Sequence, residues 1–276
     1  MKIIKHIALA LTVILSALAC EKHEIIYRGG SSTDGKAMFQ IFYVEPVSNT
    51  TSNYIDSVYV NGVLVNGNHQ LYVFNVLPAG NKFYTIDPGV INLKFFRGHA
   101  DDGSSRLIYE RDVTLKVGRC QVMLYDLNED PIILDDQYPY IAHTETGDGE
   151  TFNTDSVTSI RLINFAYASP GVPYPDKVQY QYLAEGSWRN LGEPIGFGEQ
   201  TTRTTLSVHK STFNSSGEQR FDFRCIVPGS EETGSPQVIN YTTDWWRCYI
   251  GMAYTHILRG DLSVRTTHYS CFASIY

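Results

Sequence analysis

Asp56-Ser57-Val58-Tyr59-Val60-Asn61-Gly62-Val63-Leu64-Val65 decides the fold class. Two runs rich in β-branched residues flank an Asn-Gly pair, and a two-residue type I′ turn needs positive φ at both central positions, which these residues tolerate. The stretch therefore reads as a β-hairpin. Upstream, Phe39, Ile41 and Tyr43 alternate with Gln40, Phe42 and Val44 until Pro46 breaks the run. Downstream, Leu71 to Val76 reads as a strand ended by Leu77-Pro78-Ala79-Gly80, and Asp87-Pro88-Gly89 turns the chain into Val90–Phe96. Strands over Leu107–Leu115 and Gln121–Leu124 follow, separated by Val117-Gly118. About seven short strands with regular turns predict a β-sandwich over residues 37–127. No segment shows a sustained helical period with caps.

Residues 128–156 change character. Asn128-Glu129-Asp130-Pro131 opens them and Thr146-Gly147-Asp148-Gly149-Glu150 lies near their end. Acidic, broken by Gly and Pro and without periodicity, they read as an inter-domain linker, with Ile132-Ile133-Leu134 lying along a surface. A second β-domain over 157–276 then echoes the first. Arg161–Pro170 corresponds to Phe39–Pro46, Pro175–Tyr180 to Ile55–Val60, and Arg247-Cys248-Tyr249-Ile250 to Arg119-Cys120-Gln121-Val122. The expected architecture is all-β, two sandwiches in tandem.

The chain opens with Met1-Lys2-Ile3-Ile4-Lys5, an apolar run from Ile7 to Leu15, and Ser16-Ala17-Leu18-Ala19-Cys20. A basic start, an apolar stretch and small residues make residues 1–19 a secretory signal. The apolar stretch is about half the ~20 residues that span hydrocarbon. A cysteine directly after the small residue resembles the bacterial lipoprotein signal, which implies that Cys20 is acylated and attaches the protein to a membrane. Residues 20–36 are polar and glycine-rich and read as a flexible tether. Glu21 and Glu24 resemble the surface-export signals of Bacteroidetes-type lipoproteins, which imply an outer-membrane, surface-exposed location. The net charge is −7 and becomes two units more negative when Lys2 and Lys5 leave with the leader. That balance argues against nucleic acid and against protein contacts with anionic membrane surfaces.

The first domain resembles the immunoglobulin-like lipoprotein family called domain of unknown function forty-three ninety-seven. The residues that carry the likeness are Asp56–Gly62, Leu77–Gly80, Asp87–Leu93 and Val113–Val122. It covers roughly residues 38–126 and, more weakly, 158–276. The resemblance implies two immunoglobulin-like β-sandwiches in an exported protein and brings no catalytic residues. The second domain departs from the pattern in lacking the Asn-Gly hairpin and in insertions around Gly186–Gly198.

Chemistry-bearing motifs are sparse. Gly-x-Ser-x-Gly and phosphate-cradling loops are absent from the sequence, and the eight histidines stand singly. Asp126-Leu127-Asn128-Glu129-Asp130 offers oxygens at alternate positions, but lacks the turning glycine and closing Glu of a calcium loop. No catalytic residue, metal or cofactor is expected. Cys120, Cys225, Cys248 and Cys271 show no CxxC spacing, which leaves buried thiols and a disulfide both open.

Aromatics are the remaining lead, with 19 Tyr, 13 Phe and 3 Trp. Trp188 lies in Glu185-Gly186-Ser187-Trp188-Arg189-Asn190, a loop or hairpin tip. Trp245 and Trp246 are adjacent, so on a strand one faces the core and the other solvent. Exposed aromatic faces pack against sugar rings and anchor interfaces. The expected function is a non-catalytic cell-envelope binding or adhesion module for surface glycans or glycoproteins, with Trp188, Tyr174, Trp245 and Trp246 as ligand contacts. The alternative is a structural or anchor subunit of a fimbria-like assembly, joined by strand addition at an open edge. A third class, an enzyme with a site between the domains, has no motif behind it.

Overall fold

The computed structural model describes residues 33–67, 69–79, 82–98, 103–135, 157–207, 218–239, 244–249, 252–263 and 268–275. The leader, Cys20 and most of the tether lie outside them, as does 136–156 of the linker. In the first half the strands are β1 (Ala37–Tyr43), β2 (Ser57–Val60), β3 (Val63–Leu64), β4 (Asn75–Leu77), β5 (Tyr84–Ile86), β6 (Gly89–Arg97), β7 (Arg106–Leu115), β8 (Gly118–Leu124) and β9 (Ile132–Asp135). In the second half they are β10 (Val157–Ser169), β11 (Val172–Pro173), β12 (Gln179–Ala184), β13 (Ser187–Asn190), β14 (Thr204–Ser207), β15 (Glu218–Ile226), β16 (Asp244–Tyr249), β17 (Met252–Asp261) and β18 (His268–Ile275). The protein is all-β, built as two sandwiches in tandem. No helix among the described residues is long and apolar enough to cross a membrane.

In the first sandwich the sheet β4-β1-β8-β9, with β5 also on β1, packs on β3-β2-β6-β7. In the second, β11-β10-β17-β18, with β14 also on β10, packs on β13-β12-β15-β16. The two plans match strand for strand at the centre. A first strand runs parallel to a late one (β1 with β8, β10 with β17), while the opposite sheet is antiparallel throughout and opens with a hairpin whose first strand then pairs with a later one. The hairpin turns also match. Asn61 and Gly62 take φ of 50° and 79°, and Glu185 and Gly186 take 51° and 75°. The second domain therefore keeps the type I′ turn with Glu in place of Asn, although left-handed backbone disfavours that residue.

Three sequence expectations are corrected. Arg247–Ile250 does not correspond to Arg119–Val122, because Cys248 lies on β16, the counterpart of β7, whereas Cys120 lies on β8, the counterpart of β17. Both strands place a small buried residue toward a core, which suffices to produce the echo. The strand expected over Leu71–Val76 is only three residues, Asn75–Leu77, because Phe74 adopts φ 61° and interrupts the extension. Ile132–Leu134, read as lying on a surface, forms β9 and pairs with β8.

The β1/β8 and β10/β17 pairs are buried on both faces. Phe39, Ile41, Tyr43, Cys120, Val122 and Leu124 point into the first core, while Ile160, Leu162, Ala166, Tyr254 and Leu258 point into the second. The alternate residues Phe42, Val44, Met123, Ile163, Phe165 and Ile257, with Val76 and Leu134, form a third core between the sandwiches. Strands covered on both sides read as near-continuous apolar runs. This is why Phe39–Val44 and Leu162–Tyr167 run with so few polar interruptions.

Polar contacts flank this third core. Tyr167 donates to the Tyr125 carbonyl at 2.8 Å. Arg161 Nη1 and Gln200 Nε2 both donate to the Asp135 carbonyl, at 3.0 and 3.1 Å. Gly198 holds φ +75°, and a Cβ there would stand 2.6 Å from Ile132 Cδ1. The tip of the Ile132 side chain can swing aside, so the left-handed backbone carries the cost, and Gly198→Ala is expected to lower stability by about 1–2 kcal/mol. Chemical denaturation reads it, and a change below about 0.5 kcal/mol would contradict that backbone cost.

Candidate binding face

The outer face of β13-β12-β15-β16 is built by simple alternation. On β15, Phe221, Phe223 and Cys225 turn into the second core, which leaves Arg220, Asp222 and Arg224 on the other side. On β16 the same rule sends Trp246 and Cys248 inward and Trp245 and Arg247 outward. Trp246 is half-buried against the second core, and Trp245 is 45% exposed.

The register brings these residues into rows across the sheet. Asn190, Gln181 and Arg224 form one row, linked by Gln181 Nε2 donating to Asn190 Oδ1 at 2.8 Å and Arg224 Nε donating to Gln181 Oε1 at 2.8 Å. In the next, Trp188 is opposite Leu183 and Asp222 is opposite Trp245. A third sets Arg220 directly against Arg247. Four strands spaced ~4.8 Å apart place the two indoles roughly 14 Å from each other across the face.

Arginines and tryptophans are layered on one another. The Arg224 guanidinium lies 4.2 Å from the Trp188 ring centroid. Trp245 has two such neighbours, Arg220 at 4.6 Å and Arg247 at 5.6 Å. Burial pulls Arg224 down from its usual value while Glu231 opposes that fall. Arg220 also donates from Nε and Nη2 to Asp222 Oδ1, at 3.0 and 2.8 Å.

Of the four aromatic residues singled out from sequence, Trp188 and Trp245 thus share this face. Trp188 is half-buried under Arg224, on a strand that follows a hairpin tip. Trp246 belongs to the interior, 5.5 Å from the wholly buried His256. Tyr174 follows β11 in the opposite sheet and packs against the second core. Cys20 lies outside the described residues. Sequence reasoning missed Arg220, Arg224 and Arg247, although Arg220-Phe221-Asp222-Phe223-Arg224 alternates charged and aromatic residues and so announces a strand with one apolar and one ionic face.

Elsewhere the described residues hold no group of three His, Cys, Asp or Glu placed to bind a metal ion. In the acidic Asp126–Asp130 segment, Asp126 Oδ1 accepts from the backbone N–H of Asn128 at 2.8 Å and closes a turn. Cys120, Cys225 and Cys248 are buried thiols, and burial pushes Cys248 up to about 12, far from nucleophilic reactivity at neutral pH.

No protein-family model matches the chain, and no curated protein matches it. Among solved structures, a candidate cell adhesion protein of Bacteroides eggerthii is 10% identical, over 87% of this chain and 96% of its own, with a TM-score of 0.24. Another from Bacteroides uniformis is 9% identical, over 88% and 99%, also with a TM-score of 0.24. Likeness at this level says nothing of what this chain binds.

Proposed function

We propose that the protein is a non-catalytic cell-envelope binding module, anchored through an acylated Cys20 at the outer membrane, whose outer β13-β12-β15-β16 face takes a surface glycan. The observation that carries this reading is the placement of Trp188 and Trp245 at opposite ends of one sheet face, with hydrogen-bonding side chains between them. A flat face of this kind suits an extended chain of sugars. The indoles offer apolar contact, and Asn190 and the arginines offer groups matched to hydroxyls, while the buried Gln181 links Asn190 to Arg224 beneath them. The second reading is assembly through strand addition: β18 pairs antiparallel with β17 and stands last in its sheet, so its outer edge is where an added strand would pair.

A glycan array with soluble chain 21–276 tests the reading. Trp245→Ala is expected to weaken binding by about tenfold or more without lowering the melting temperature. Trp245 is exposed and contributes nothing to the core, so folding is preserved. Glycan binding that persists at full strength in Trp245→Ala would remove this face from the mechanism. Absence of binding to every glycan would end the carbohydrate reading.

A further inference from the structure

Exposed apolar side chains scattered singly over a surface need no explanation, but three here are gathered towards one end of the first sandwich. Among the described residues the most exposed large hydrophobics are Val90, Val63 and Val117, at 66, 64 and 62%. The register places them. Ala37, the first residue of β1, pairs with Gly118 and Ile86, and Gly89 pairs with Leu115. Val90 and the Lys116-Val117 turn between β7 and β8 therefore stand at the end where the chain enters β1. Val63 follows the Asn61-Gly62 turn and lies level with Val60 and Leu93, about 10 Å further up the sheet than Val90.

We propose that this end of the first sandwich lies on the lipid bilayer, with Val90 and Val117 dipping into its surface; the inference rests on the reading of Cys20 as the lipid anchor. Neither valine belongs to the core of the sandwich. Val90 is on the outer face of β6, because Ile91 and Leu93 point inward. Val117 occupies a two-residue turn, where polar residues and glycine are the usual choice. Beside them Pro88 and Lys116 are exposed, and Lys36 pairs with Asp87 at 2.5 Å. That pair cancels its own charge. The contact is therefore apolar and calls for no anionic lipid, in keeping with a chain whose net charge is −7.

The tether argues for the bilayer as the occupant. Residues 20–36 are polar and glycine-rich, and a flexible chain of that length has a root-mean-square span of roughly 20–25 Å. It joins the fold at Ala37, at the same end as both valines, so an acylated Cys20 holds them within reach of lipid. Two valines bury too little apolar surface to keep a free protein on a membrane. An anchored protein meets the bilayer at high effective concentration, so a weak contact suffices to set its orientation.

Hydrogen exchange tests this with chain 21–276 bearing an N-terminal hexahistidine tag, held on phosphatidylcholine vesicles that contain a nickel-chelating lipid. The amides of Asp87, Gly89, Val90 and residues 116–118 are expected to exchange about threefold or more slowly on vesicles than in solution. Val90→Asp/Val117→Asp should lose this slowing and keep its melting temperature, since both side chains lie outside the core. Val90→Thr/Val117→Thr, which preserves the branched shape, carries the same expectation if the Asp pair unfolds. Equal rates on and off vesicles would overturn the proposal, as would slowing that survives in the variants. Slowing that appears without vesicles as protein concentration rises would show that a second copy covers the valines, and would also overturn it. The chelating lipid supplies the anchor, so these results leave acylation of Cys20 untouched. That reading falls separately if Cys20→Ala stays in the membrane fraction of cells, and the proposal falls with it.

Discussion

Phe165→Ala is expected to destabilise the protein by about 3–5 kcal/mol, the range for emptying a fully buried phenylalanine site. Phe165 is 0% exposed in the third core. It stacks with Tyr125 at 6.0 Å and meets Phe197 edge-on at 5.4 Å. These neighbours come from both sandwiches, so the residue ties one to the other. A consequence is that the two sandwiches unfold together. Trp188, Trp245 and Trp246 all lie in the second sandwich, so tryptophan fluorescence reports on that half, while far-UV circular dichroism reports on both. Coincident wild-type transitions by the two probes are the expected result. Separate transitions in the wild type, or a Phe165→Ala penalty below 1 kcal/mol, would show that the third core contributes little.

Acidification is expected to weaken the fold through His256. Its ring is wholly buried among Tyr180, Phe223 and Trp246, with centroids 5.7, 5.0 and 5.5 Å away, and the Tyr180 hydroxyl hydrogen-bonds to its Nδ1. Burial lowers its pKa from 6.5 to about 3, because the charged ring would lose hydration. Over the window between those values the unfolded chain takes up a proton that the folded chain refuses. The neutral ring therefore contributes its full stabilisation above about pH 6.5, and this is lost as the pH falls toward 3. The slope is about 1.4 kcal/mol per pH unit, or roughly 4–5 kcal/mol over the whole window. The measurement is urea unfolding of the wild type and of His256→Gln across pH 3–8. A shallower acid dependence in His256→Gln is expected. Parallel curves would show that other groups set the acid limit.

Much of the fold was legible because a strand's side-chain period is two and its turns have a fixed chemistry. Asn61-Gly62 signalled the first hairpin directly. Its counterpart reads from sequence only as a loop or hairpin tip at Glu185–Asn190, because Glu185 is a poor left-handed residue and Gly186 alone is weak evidence for a turn. The short β4 could not be foreseen, since Phe74 takes its positive φ with no glycine to mark it. On the candidate face, the adjacency of Trp245 and Trp246 correctly demanded that they part to opposite sides. Tyr174 carried no such constraint, and it packs with the opposite sheet.

Local elements follow from the order of residues alone: the alternating runs, the two-residue turns and the ionic side of Arg220–Arg224. Alternation states that two faces of a strand differ without saying what covers either one. Only tertiary structure decided that β1 and β8, and β10 and β17, pair in parallel across long separations and that a third core covers their second faces. It also decided that Arg224 lies over Trp188 and that Arg220 opposes Arg247. The physical reason is the same in each case: register and sheet packing bring together residues from distant parts of the chain, and these long-range contacts leave no mark in local periodicity.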